Sequence, residues 1–299
     1  MLLKILGAAA GGGLPQWNCS CSNCQAVRQK RTGVSWLNQS SIAIQSPEGD
    51  WFLVNASPDV RQQLELIRDT QPLSIRTSPI RGVILTDAEI DHTTGLIILR
   101  ESAQPLRIYG TEIVRKALNE GFPLLKTLES YCGVEWSNLN VGATVPLTAN
   151  LAIDVFALAA KAPKYMRSQA IAGDWVIGLT ICDRTTGKVV TYAPGLAELS
   201  DRLLQRFEAS DCILVDGTFW QNDDLLNLGI STRTARDMGH LPLAGENGSL
   251  HYLSQLQHPR KILVHINNTN PIHLANSKER QIVEAAGIEV GCDGLTIEL

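Results

Sequence analysis

Three apolar runs in this chain each stop at a residue that can hold a proton or a metal ion. Val83-Ile84-Leu85 runs into Thr86-Asp87-Ala88-Glu89-Ile90-Asp91-His92, Cys212-Ile213-Leu214-Val215 into Asp216, and Ile262-Leu263-Val264 into His265. Short uninterrupted aliphatic runs read as buried strands. In layered α/β proteins, the carboxyl ends of such strands are where sites are built. Helical segments are expected between the strands, at 92–99, 111–119, 196–207, 250–256 and 275–286, and a further helix opens at Ser57-Pro58 with Ser57 as its cap. Two hairpins break the alternation. One pairs 41–45 with 51–54 across Pro47-Glu48-Gly49-Asp50, and the other pairs 174–182 with 188–191 across Arg184-Thr185-Thr186-Gly187. The pattern therefore predicts a mixed α/β architecture with two sheets, not a doubly wound single sheet. Residues 120–150 show little period and several Pro, Gly and Asn residues, so they read as a loop-rich connector.

Composition narrows the partners. With 299 residues, 44% hydrophobic, 19% charged and a formal net charge of −4, the chain has no basic field for nucleic acid or anionic membrane. No stretch reaches the roughly 20 apolar residues of a membrane span. The start, Met1-Leu2-Leu3-Lys4-Ile5-Leu6, has no basic residue before its apolar run and is expected to be a first strand, not a leader. It feeds Gly11-Gly12-Gly13, which lacks the Lys-Ser/Thr of a phosphate loop and is expected to serve a sharp turn or close packing. Seven cysteines, three of them crowded, suggest a reducing compartment and a metal site instead of a disulfide framework. The expected location is cytoplasmic.

The crowded three are Cys19-Ser20-Cys21-Ser22-Asn23-Cys24. Thiolates at this spacing can share one tetrahedral ion, zinc by default, with a fourth ligand from elsewhere. At 87–92, three carboxylates and one imidazole fall within six residues. One reading is a polar turn with helix-capping acids; the other is a metal loop whose hard oxygen donors suit iron or manganese. Asp216 past its strand and His240 in Gly239-His240-Leu241-Pro242 are candidates for ligation or acid–base work.

The frame Thr86-Asp87-Ala88-Glu89-Ile90-Asp91-His92-Thr93-Thr94-Gly95 resembles the T-H-x-H-x-D-H-x-x-G signature of the metallo-β-lactamase superfamily. Asp91, His92 and Gly95 match it, while Asp87 and Glu89 stand where its first two histidines belong. Tyr192-Ala193-Pro194-Gly195 falls where that superfamily carries a bridging aspartate, and holds none. His265 is similar to its last histidine, and the cysteine cluster resembles the structural zinc site of its phosphodiesterase branch. Over its whole length the chain resembles the B family of pyrroloquinoline quinone (PQQ) synthesis proteins. The cysteine cluster, the 85–95 frame, Met238-Gly239-His240-Leu241-Pro242, His265-Ile266-Asn267-Asn268-Thr269-Asn270-Pro271 and the tail around Gly287 and Asp293-Gly294 carry that resemblance.

The resemblance implies an α/β (α+β) fold, a metallo-β-lactamase-like αββα sandwich of two mixed sheets flanked by helices. It implies one domain over residues 1–299, with the zinc turn near 19–24 and the connector near 120–150. Two roles follow from it. One is iron-dependent hydroxylation of the tyrosine ring of a glutamate–tyrosine dipeptide cut from a precursor peptide. The other is carriage of the finished cofactor, or its precursor, out of the cytoplasm. The implied partners are that precursor or PQQ itself, with a homodimer as the candidate assembly.

With Asp87 and Glu89 in place of two histidines, a nitrogen-rich dizinc hydrolase is not expected. A carboxylate and imidazole site with open positions suits non-haem iron(II) instead. Asp91 and His92 are the first candidates for its ligands, Glu89 and Asp87 next, with Asp216 and His240 at the mouth. His265 has two roles open to it: the catalytic metal, or the fourth position beside Cys19, Cys21 and Cys24. Because no other cysteine lies in a matched motif, the zinc role is the one expected.

Overall fold

The computed structural model describes residues 1–68, 75–159, 161–169, 171–245 and 247–299. Among them fourteen strands form two seven-stranded sheets. The first sheet contains β1 (Leu2–Gly7), β2 (Ser41–Gln45), β3 (Trp51–Val54), β4 (Gly82–Ile84), β5 (Leu106–Gly110) and β6 (Val134–Asn138). The second contains β7 (Thr144–Pro146), β8 (Leu151–Leu158), β9 (Val176–Asp183), β10 (Val189–Ala193), β11 (Cys212–Asp216), β12 (Arg260–Val264) and β13 (Ile288–Val290). The last strand, β14 (Thr296–Glu298), returns to the first sheet beside β1, with Leu3 opposite Ile297.

The alternation of side chains along each strand sorts them between two cores. Phe52 and Val54 of β3 and Leu214 of β11 join a cluster between the sheets that also holds Ile153, Leu179 and Tyr192. Leu53 of β3 and Val215 of β11 belong instead to the apolar layers under the helices, with Leu96, Leu118, Leu203 and Phe207. Helices outside and two sheets inside make an αββα sandwich. Strands β10, β11, β12 and β13 run parallel, as do β3, β4, β5 and β6. A central strand covered on both faces is apolar along its run, as in β11, which is buried at all five positions.

Both expected hairpins form, with Ile44 opposite Phe52 and Thr180 opposite Thr191. The apolar start is β1, hydrogen-bonded on both sides. No helix among the described residues is long and apolar enough to cross a membrane. Two local expectations are corrected. The stretch 120–150 is not simply loop: it holds a helix, Leu124–Glu129, and the edge strands β6 and β7, where the chain passes from one sheet to the other. Edge strands are short and half exposed, so they lack the apolar run that marks central ones. Ser57 is not a helix cap. Its hydroxyl accepts from the Asp59 N–H at 3.1 Å and donates to Gln63 Oε1 at 2.8 Å, and the helix begins at Val60.

Candidate functional site

The loop after β4 is held from behind. Asn55, in the left-handed region at φ 61°, accepts from the Thr86 N–H at 3.0 Å and donates to its hydroxyl at 2.9 Å. The Thr86 hydroxyl also donates to Asp87 Oδ2 at 2.9 Å. Asp87 Oδ1 accepts the Glu89 N–H at 2.9 Å, and both of its oxygens lie 2.8–2.9 Å from His92 Nδ1. From the other side Tyr165 donates to the Ala88 carbonyl at 2.6 Å. Gly95 is required by contact: a Cβ there would stand 2.1 Å from the Ser57 carbonyl oxygen. The short helix Ile90–Thr93 then carries His92 inward, buried, with its ring orientation fixed by Asp87.

The ends of β11 and β12 supply the facing half. Asp216 is buried. Its Oδ2 accepts from the Leu196 N–H at 2.9 Å and lies 2.6 Å from His240 Nδ1. Its Oδ1 accepts from the Thr218 N–H at 2.9 Å and from the Thr218 hydroxyl. That hydroxyl lies 2.8 Å from His265 Nδ1. His265 itself turns out of β12 at φ 55°. The His265 ring centre is 5.3 Å from that of His92 and 5.4 Å from that of His240. With Nδ1 engaged on all three rings, their Nε2 edges are the ones left for ligation or proton transfer.

Two three-residue clusters result, Asp91–His92–His265 and Asp216–His240–His265, each with its ligand atoms within 4.8 Å of one another. Hydrogen bonding separates them. In the second, Asp216 bonds His240 directly and is linked to His265 through the Thr218 hydroxyl. In the first, His92 Nε2 is buried without a partner, 3.7 Å from Asp91 Oδ2. An orphaned buried ring nitrogen beside a carboxylate and a second imidazole is the arrangement a divalent metal completes.

Electrostatics agrees with that division. Burial alone would lower His92, but Asp87 and Asp91 raise it to about 10. Burial and the neighbouring His92 push His265 down to about 4, which keeps it neutral. His240 is raised against its burial by Asp216. Burial, with Asp87 and Asp91, lifts Glu89 to about 7. These groups line a cleft of about 230 Å³ whose wall also carries Lys161 and Arg167.

The structure thus brings together Asp91, His92, Asp216, His240 and His265, with Glu89 in the same cleft but in neither cluster. Two assignments change. Asp87 does not stand in the donor ring; its oxygens are occupied by His92, Thr86 and the Glu89 N–H. His265 is not beside the cysteines, because its left-handed turn directs it to Asp91 and His92. The sulfurs of Cys19, Cys21 and Cys24 do group within 4.8 Å, at the start of the helix Ser22–Arg28. Burial and the two neighbouring sulfurs push Cys21 up to about 12. Sequence reasoning missed Thr218, Lys161 and Arg167, and also Gly11, where a Cβ would stand 2.8 Å from Asp91 Oδ2. The glycine run was the available signal for the last of these; its first member makes room for a carboxylate.

A Beta-lactamase superfamily domain model matches residues 50–266. The coenzyme PQQ synthesis protein B of Methylococcus capsulatus is 44% identical over 305 residues, and that of Nitrosococcus oceani 45% over 310, each covering all of both chains. Among solved structures, Zn(2+)-bound PqqB from Methylobacterium extorquens superposes with a TM-score of 0.92 at 35% identity, again over all of both chains.

Proposed function

The chain belongs to the beta-lactamase superfamily and, within it, to the coenzyme PQQ synthesis protein B family, and from that premise we propose that its step in PQQ biosynthesis is an iron(II)-dependent hydroxylation. The substrate is the tyrosine ring of a glutamate–tyrosine-derived precursor. The observation that carries this reading is the Asp91–His92–His265 cluster with its partnerless His92 Nε2. Two imidazoles and one carboxylate with open positions form the donor set of non-haem iron(II) oxygenases. Iron held there would supply activation of dioxygen, with one oxygen atom entering the ring, the other leaving as water and two electrons coming from an external reductant.

The chain's own residues do the rest. Asp87 fixes the ring of His92, and Thr218 that of His265, so both present Nε2 at a constant angle. Asp216 holds His240 by Nδ1 at 2.6 Å, leaving its other edge in the cleft to carry the proton lost from the ring carbon. Lys161 and Arg167 are the cationic side chains of the cleft wall, suited to the precursor's carboxylates. Cys19, Cys21 and Cys24 make a separate thiolate set of the zinc type, and we assign zinc to it as a structural ion.

The test is anaerobic iron(II) reconstitution, then dioxygen and a reductant with a glutamate–tyrosine dipeptide, read by mass for one added oxygen atom. Wild type should react and His92→Ala should not; an inactive wild type would reject the hydroxylase. One feature favours a second reading, a non-catalytic carrier of PQQ or its precursor. The two histidines expected at 87 and 89 are carboxylates, as in a hydrolase that has lost its ligands. A carrier would bind PQQ in equilibrium dialysis whether or not iron is present.

A further inference from the structure

We propose that Asp293 is a positioning residue for the metal centre: it clamps the backbone segment 8–11, which sets the spacing between Asp91 and His265. This rests on the reading of Asp91, His92 and His265 as one metal centre, and not on the reaction carried out there. Asp293 lies on the turn between β13 and β14, and that turn is tied to both sheets. The Gly291 N–H donates to the Leu263 carbonyl of β12 at 2.8 Å, and the Gly294 N–H to the Ile5 carbonyl of β1 at 2.8 Å. From this seat Asp293 Oδ1 accepts the Ala8 N–H at 2.9 Å and Oδ2 the Asn38 N–H at 2.7 Å. Among the described residues no cation shares the carboxylate; loss of solvent and the nearby Asp59 raise its pKa to about 7. A carboxylate drawn out of water with no cation beside it is costly to keep for packing alone, so its place calls for another reason.

The clamped segment touches both halves of the centre. Past β1 the chain runs between Asn38 and Ile266. The Ala9 N–H donates to the Asn38 carbonyl at 3.0 Å, the Ala8 carbonyl accepts the Ile266 N–H at 2.9 Å, and the Ala10 N–H donates to the Ile266 carbonyl at 2.8 Å. Ile266 directly follows His265, whose left-handed turn at φ 55° aims its ring into the cleft. A shift of Ala8 or Ala10 is therefore passed to that ring through two hydrogen bonds. One residue further on, Gly11 lies against Asp91, close enough that a Cβ would stand 2.8 Å from Oδ2. Ala8 and Ala9 are fully buried, so the segment has no slack toward solvent. Asp293 itself does not line the cleft; it acts through the segment that joins the two strand-end loops.

The test uses the full chain reconstituted anaerobically with iron(II). Asp293→Asn keeps the shape of the side chain but turns an amide N–H toward one of the two backbone N–H groups. Iron(II) affinity, by chelator competition, should fall about 10–100-fold. The electron paramagnetic resonance of the iron nitrosyl complex should change in rhombicity, with zinc content at the cysteines unchanged. The clamp also predicts a coupling. Gly11→Ala displaces Asp91 only while its segment is held, so in the Asp293→Asn background it should cost less iron affinity than in wild type. A folded Asp293→Asn protein with wild-type affinity and nitrosyl spectrum, or losses that simply multiply in the double variant, overturns the proposal and leaves the metal centre standing. Should Asp293→Asn not fold, hydrogen exchange in the metal-free wild type decides. Ala8 and Asn38 amides as protected as those of β1 uphold the clamp, and rapidly exchanging ones overturn it. Wild type without iron affinity overturns the metal centre and the proposal with it.

Discussion

Gly11→Ala separates a carboxylate that is merely nearby from one that must hold its position. A Cβ on Gly11 would meet Asp91 Oδ2 at 2.8 Å and Cγ at 3.1 Å, roughly half an ångström inside ordinary contact. The backbone there is not left-handed, so alanine is allowed, and its restriction of the unfolded chain favours the folded state by about 0.4–1 kcal/mol. Pushing Asp91 off its rotamer costs about 0.5–1.5 kcal/mol. The two nearly cancel, and thermal unfolding should shift by only a few degrees. Binding should not be spared. Asp91 Oδ2 lies 3.7 Å from His92 Nε2, and displacing one of three donors by about 0.5 Å exceeds the tolerance of a built site. Iron(II) affinity, measured by anaerobic competition with a chromophoric chelator, should fall about 10–100-fold, with turnover falling in parallel. A folded Gly11→Ala protein with wild-type iron affinity would refute Asp91 as a ligand.

Other outcomes follow from the same geometry. His265→Ala should abolish iron binding and leave the zinc content of purified protein unchanged; loss of zinc with retained iron would restore the earlier assignment of His265 to the cysteines. In metal-free protein, His92 is held at about 10, above its unfolded value of about 6.5. Its contribution to stability is therefore full below pH ~6.5 and lost as pH rises toward 10. A metal at Nε2 must displace that proton, so affinity should rise by about tenfold per pH unit across the same window; a flat profile between pH 6.5 and 8.5 would show that His92 is not the residue exchanging a proton for metal. Lys161→Ala with Arg167→Ala should raise KM for an anionic dipeptide about tenfold or more with kcat little changed, and an unchanged KM would remove them from substrate recognition.

What was legible in the sequence was whatever leaves a local pattern. Buried parallel strands must be apolar on both faces, so β4, β11 and β12 showed themselves and pointed to the residues at their ends. Asp91 and His92 were legible because they are adjacent within a spacing that a family shares. His265 was placed wrongly because its direction depends on one left-handed residue, which no composition announces. Lys161 and Arg167 come from a stretch without period.

The exchange of the first two motif histidines also has a different meaning from the one its letters suggest. Carboxylates at 87 and 89 look like replacement ligands, hard oxygen for nitrogen. Asp87, however, spends both oxygens on His92 Nδ1, Thr86 and the Glu89 N–H, and Glu89, lifted to about 7 by burial and its acidic neighbours, lies outside both clusters. The exchange therefore subtracts donors and converts one of the lost positions into a brace for a donor that stays. A hydrolytic pair of zinc ions needs many nitrogen ligands and a polarised water. A single ion held by Asp91, His92 and His265 would have its two imidazoles braced from behind by Asp87 and Thr218, and that mixed donor set is the kind that suits dioxygen chemistry at non-haem iron.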